Sequence, residues 1–80
     1  MAIVNFEWDK DKNSQNRQKH HMAFETAQYA FADPHRIIAV DIKHSGIENR
    51  YYCFGVVEHG ILTVRFTSRN ATIRIIGAGY

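Results

Sequence analysis

The chain lacks most of the residues that build small metal or disulfide domains. Its single cysteine, Cys53, excludes an internal disulfide and a cysteine-based zinc site. The histidines His20, His21, His35, His44 and His59 fall at no zinc spacing, and no HExxH motif is present. No metal and no cofactor are expected. No apolar run approaches the roughly 18 residues that a membrane helix needs. The start, Met1-Ala2-Ile3-Val4-Asn5, has neither the cationic opening nor the apolar stretch of a secretory signal. These absences point to a cytoplasmic protein without a membrane partner. Repeats, low-complexity tracts and linkers are also missing. At 80 residues, with 45% apolar content, the chain reads as one small domain over residues 1–80. That size leaves no room for a domain-sized cofactor pocket.

Net charge is +2, unevenly spread. Residues 1–34 carry four basic and five acidic side chains, whereas residues 35–80 carry six basic and three acidic. The last twenty residues hold Arg65, Arg69 and Arg74 and no acid. Arginine is the fork that matches phosphate geometry. The C-terminal half therefore suits an anionic partner, although a merely soluble basic surface has the same composition.

Pro34 divides the pattern, helical before it and β after it. A first helix is expected from Asp9, a good N-cap, to His20. Its Asp9–Lys19 stretch has no apolar residue, so its anchors must be the flanks: Phe6 and Trp8 before, Met22 and Phe24 after. A second helix is expected from Ala23 to Ala32, with Phe24, Ala27 and Phe31 on one face, ended by Asp33-Pro34. Four strands follow: Ile37 to Ile42, Arg50 to Val57, Ile61 to Ser68 and Thr72 to Ile76. In the third, Leu62, Val64 and Phe66 face opposite to Thr63, Arg65 and Thr67. Short turns at Glu58-His59-Gly60 and Arg69-Asn70-Ala71 make the last strands antiparallel neighbours. Ile3–Phe6 supplies a further edge strand. The expected class is α+β: two N-terminal helices packed on a four- to five-stranded antiparallel sheet.

The segment from His44 to Arg50 holds an imidazole, a carboxylate (Glu48) and a guanidinium within seven residues. Metal-free cleavage of a phosphodiester needs these types. One group takes the 2′-hydroxyl proton, another protonates the leaving oxygen, and cations hold the charged phosphorus centre. A Glu48–Arg50 surface pair beside a loop histidine reads the same way in sequence. Thr67, Arg69 and Arg74 flank one hairpin, and with Arg65 they make a basic sheet face suited to backbone phosphates, or simply a solvated one. Tyr51, Tyr52 and Tyr80 can stack on bases or pack in the sheet.

In order along the chain stand Phe6-Glu7-Trp8-Asp9, Lys12, Asn16, Lys19-His20, Phe24-Glu25-x-Ala27, Phe31 and Asp33-Pro34. Then come His44-Ser45-x-x-Glu48-x-Arg50-Tyr51, Gly55, Leu62 to Thr67 with Arg69, and Ile73-Arg74-Ile75-Ile76. Together these resemble the BrnT toxins over residues 6–80. The resemblance implies a RelE-like ribonuclease toxin of a type II toxin–antitoxin pair, cleaving RNA and so blocking translation. It implies a BrnA-type antitoxin with a ribbon-helix-helix domain, and contact with operator DNA only through that complex. There are departures: Ala23 replaces a common Ser or Thr cap, and Gly77-Ala78-Gly79-Tyr80 stands where many members have Ala-Arg. Relatives with this ending usually continue into a short tail rich in Trp, Arg and Lys.

The site expected on this reading has Arg50, Arg69 and Arg74 binding phosphate and the transition state. His44 or Glu48 is the general base or acid, and Thr67 positions the substrate. Lys19, His20, Arg65 and Tyr80 contact RNA. A non-catalytic module that binds an antitoxin or RNA is the alternative. A lone DNA-binding regulator ranks last, since no helix is rich in base-reading residues.

Overall fold

A computed structural model describes residues 5–80. β1 (Asn5–Trp8) leads into α1 (Lys10–His20), α2 (Phe24–Ala27) and a 3-10 segment (Gln28–Ala32). β2 (Ile37–Val40) and a 3-10 turn (Ile42–His44) follow, then β3 (Tyr51–Val57), β4 (Gly60–Arg69) and β5 (Thr72–Gly79). The sheet order is β1-β5-β4-β3-β2.

The sheet is mixed, which corrects the antiparallel expectation. β2 to β5 form an antiparallel meander, but β1 runs parallel to β5, with Phe6 opposite Ile73 and Trp8 opposite Ile75. Nor are the helices N-terminal to the whole sheet, since β1 precedes them. Parallel neighbours need a long connection, and almost the entire chain serves as one here. The expected edge strand over Ile3–Phe6 lies partly outside the described residues; the strand present is Asn5–Trp8.

α1 begins where Asp9 accepts the N–H of Asp11 at 3.0 Å. It ends at His21, whose left-handed backbone (φ 55°) turns the chain while its N–H bonds the Arg17 carbonyl. The flanking anchors hold: Met22 and Phe24 are buried, and Phe6 and Trp8 pack against the core. The helix also has anchors of its own, and they are polar. Asn13 and Asn16 are both buried. The Asn13 side-chain oxygen accepts from the Phe24 N–H at 2.9 Å, and its Nδ2 donates to Glu25 at 2.8 Å. Asn16 reaches the sheet. Its Nδ2 donates to the Ala78 carbonyl at 2.9 Å and its Oδ1 accepts from the Ala78 N–H at 3.2 Å. The same Nδ2 donates to the Met22 carbonyl at 2.8 Å. One side chain thus completes the edge of β5 beyond the end of β1. The ladder with β4, which runs on to Gly79 opposite Thr63, carries β5 past the expected end at Ile76.

The second helix is α-helical for one turn and then narrows to 3-10 geometry, ending at Asp33 with extended backbone as a pre-proline residue should. β2 stops at Val40 because Asp41 caps the following turn, accepting from the His44 N–H at 3.3 Å. The core lies between the helices and one sheet face. Phe24 meets Trp8 edge-on, and Phe31 packs against both Phe6 and Phe66. Cys53 sits in this core, where burial pushes its thiol up to about 11, so it stays neutral and unreactive.

Two surface carboxylates lock the helical layer. The bond from Asn13 holds Glu25 below its ordinary 4.5. The backbone N–H groups of Val56 and His35 hold Asp33 below 3.8. Groups with depressed values stabilise the fold above their ordinary range, and that stability is lost as pH falls through the folded-state values. The thermal midpoint should be flat between about pH 7 and 5 and fall below about pH 4. Melting curves across that range check it.

Candidate functional site

The helices cover one sheet face and leave the other open. The register identifies what the open face carries. Tyr52 lies opposite Arg65, Phe54 opposite Thr63, Thr67 opposite Arg74, and Arg74 opposite Glu7. The alternation along β4 expected from sequence is present. Leu62, Val64 and Phe66 are buried under the helices, and Arg65 and Arg69 are exposed. A register shift between Arg65 and Phe66 lets β5 bulge. The Arg65 guanidinium lies across Gly77, so close that a Cβ there would come within 2.5 Å of Nη2.

The expected site residues fall into two groups. Lys19, His20, Arg65 and Tyr80 come together. Lys12, Lys19, His20, Arg65 and Ile76 line one groove of about 250 Å³ along α1. His20, Thr63, Arg65, Gly79 and Tyr80 line its neighbour, about 300 Å³. His20 and Arg65 border both. The Tyr80 hydroxyl donates to the Val57 carbonyl at 2.7 Å and its ring lies over Gly60, which pins that wall. Among the described residues, Lys12, Lys19 and Arg65 have no carboxylate partner.

The second group is more tightly tied. Arg69 grips Glu48, with Nε at 2.8 Å and Nη2 at 2.6 Å from the same carboxylate oxygen. Arg74 stands 3.7 Å from Glu7. His44 bonds Asp41, Nδ1 to Oδ2, at 2.9 Å. Asp41 is 6% exposed. Burial pushes its carboxyl up, but hydrogen bonds from His44 and the Tyr52 hydroxyl outweigh this and hold it below the usual range. The same carboxylate pushes the Tyr52 hydroxyl up. Accepting from Nδ1, Asp41 fixes the imidazole tautomer and leaves Nε2 as the outer, proton-accepting nitrogen.

The loop under this group is fastened by its backbone. Ser45 donates its hydroxyl to the Asp41 carbonyl at 2.7 Å and accepts from the Arg50 N–H at 3.0 Å. Asp41 donates its own N–H to the Arg50 carbonyl at 2.7 Å. Arg50 therefore serves the site through its backbone, and among the described residues its guanidinium pairs with no carboxylate. Among them, too, no bond joins His44 to Glu48, Arg50 or Arg69. Thr67 is 1% exposed, on the same face as Arg65 and Arg69, and its Oγ1 has no hydrogen-bond partner among the described residues.

Sequence reasoning missed Asp41, the bond of Tyr52 to it, and the structural duty of Asn16. Asp41 had a local signal, since an aspartate three residues before a histidine can cap a turn. Asn16 had none beyond its place in a helix without apolar residues. Among the described residues no three His, Cys, Asp or Glu side chains gather in one place.

The family model for the ribonuclease toxin BrnT of type II toxin–antitoxin systems matches residues 8–80. No individual curated protein matches the chain. The family match takes in α1, α2 and β2 to β5 whole. The chain belongs to the BrnT family of type II ribonuclease toxins.

Proposed function

We propose that this chain binds RNA along the open sheet face and cleaves it there without a metal ion, in a RelE-like manner that blocks translation in the cytoplasm. The observation that carries the reading is the meeting of unpaired Lys12, Lys19 and Arg65 with His20 in two adjoining grooves. Such a cluster neutralises consecutive phosphates at little cost. Tyr80 offers a ring at its edge.

Chemistry is assigned to the tied group. His44, oriented by Asp41, takes the 2′-hydroxyl proton at Nε2. The 2′-oxygen attacks phosphorus, the bond to the 5′-oxygen breaks, and a proton returns to that leaving oxygen from the imidazolium, with Glu48 as the alternative base or acid. Arg69, Arg74 and Arg50 stabilise the charge that builds on the phosphoryl oxygens. Thr67 keeps a positioning role, but at 1% exposure its hydroxyl meets substrate only once the groups above it move aside. A BrnA-type ribbon-helix-helix antitoxin neutralises the chain, and operator DNA is reached only through that complex. A second reading, a module that binds without cleaving, draws support from Glu48 and Glu7, which already occupy Arg69 and Arg74.

Incubating a defined RNA with the purified chain in excess EDTA tests this. Cleavage is expected, with His44→Ala and Arg69→Ala each slowing it by about 100-fold or more. Lys19→Ala and Arg65→Ala should weaken RNA binding and flatten its salt dependence. Cleavage only when magnesium is restored overturns metal independence. Wild-type rates in both variants overturn the assigned roles. Binding without cleavage selects the second reading.

A further inference from the structure

We propose that the outer edge of β2 receives an extended segment of a partner protein, apolar in its middle and acidic at both ends, which joins the sheet as a further strand. β2 is the last strand in the sheet order and, among the described residues, pairs only with β3. The bond from the Asp41 N–H to the Arg50 carbonyl sets the phase of that pairing. Hydrogen-bonded pairs alternate in an antiparallel ladder. Ala39–Tyr52 and Ile37–Phe54 therefore share the phase of Asp41–Arg50. Ile38 and Val40 point their N–H and C=O groups outward, with no strand among the described residues beyond to meet them.

The side chains are as unusual as the edge. Ile37 is 63% exposed, Ile38 47%, Val40 54% and Ile42 84%. Free edges are usually blunted by lysine, proline or a bulge, and within β2 none of these is present. An apolar strand with open backbone groups invites strand addition.

Charge then selects the occupant. His35 and Arg36 precede β2, and Lys43 and His44 follow it. The acids of this stretch are engaged by the chain itself. Asp33 accepts from the His35 and Val56 N–H groups, and Asp41 is buried against His44. Both ends of the edge thus present cations. A second copy of this chain is a poor occupant, because parallel and antiparallel pairing alike set one basic flank against another. A segment with acids at its ends meets both flanks favourably. Identifying the donor of this segment as the antitoxin rests on the toxin–antitoxin reading; the edge and its charge do not.

The probe is a synthetic peptide, acetyl-Glu-Glu-Val-Thr-Val-Thr-Glu-Glu-amide, titrated into the isotope-labelled chain and followed by amide hydrogen exchange. Binding is expected to slow exchange at Ile38 and Val40. A peptide with lysines in place of the glutamates should bind about 10-fold more weakly. The double variant Arg36→Glu, Lys43→Glu leaves the backbone and the cleavage site intact and should reverse that preference. Val40→Pro, which removes an outward N–H, should abolish binding while the melting curve shows a folded chain. The proposal is overturned if the acidic peptide fails to bind at millimolar concentration. Binding without protection of Ile38 and Val40, or equal binding of both peptides, overturns it too. A self-associated chain in which those amides are already protected does the same. RNA cleavage is measured separately, so its loss or persistence bears on the cleavage reading alone.

Discussion

Replacing Asn16 by alanine is expected to cost about 3–5 kcal/mol, a large share of the ~5–15 kcal/mol that holds a small domain together. The substitution removes three hydrogen bonds at once, two to Ala78 and one to the Met22 carbonyl. It strands polar backbone groups where water does not reach, at ~1–3 kcal/mol each. The thermal midpoint should fall by about 15 °C or more. Asn16→Asp should do no better. It keeps an acceptor for the Ala78 N–H but sets a carboxylate against two carbonyl oxygens. Melting curves, with hydrogen exchange at the Ala78 amide, check both. The functional loss should precede unfolding. Asn16 is what docks α1 on β5, and the grooves bordered by His20 and Arg65 exist only while it does. RNA binding should therefore weaken at temperatures where the antiparallel meander still holds.

Gly55→Ala should be nearly as damaging, for a steric reason. A Cβ at Gly55 would lie 2.3 Å from the Ala30 carbonyl oxygen, 2.9 Å from its carbon and 3.0 Å from the Ala30 Cα. All three are backbone atoms of the 3-10 segment, and none can swing aside. β3 and that segment must separate, opening the core around Phe24 and Phe31, at a cost of about 3 kcal/mol. Gly46→Ala is the control, since nothing lies within 4 Å of its Cβ position. Gly77→Ala separates stability from function. Its Cβ would meet the mobile end of Arg65. The fold should survive, while Arg65 is displaced and RNA affinity drops. Melting and RNA-binding curves on the three variants distinguish these outcomes.

The meander was legible because it is local. Leu62, Val64 and Phe66 alternate with polar residues, and two short turns join β3, β4 and β5. Both turns carry residues in left-handed backbone, Glu58 in one and Asn70 and Ala71 in the other. The parallel pairing of β1 with β5 was not legible. Nothing in Phe6-Glu7-Trp8 names a partner nearly the whole chain away. The polar helix was found but its fastening was not, since a buried asparagine in sequence looks like any surface one. The site divided in the same way. Lys19 and His20 share a helix end, so their joint placement follows once α1 docks. Glu48 meets Arg69 only because the loop after β2 folds back, and the neutralisation of Arg69 and Arg74 by carboxylates of the chain was invisible in the charge count.

The parallel pairing also sets a schedule. Among the described elements β1 is made first, and its neighbour in the sheet, β5, is made last. At ~5–20 residues per second, β1 and α1 wait several seconds on the ribosome without the strand they pack against. Until β5 emerges, Asn16 has no Ala78 to bond and the grooves along α1 do not exist. On the proposed RNA-binding reading, the surface along α1 is therefore completed only after β5 has been made, so the nascent chain should bind RNA later than it forms β1 and α1.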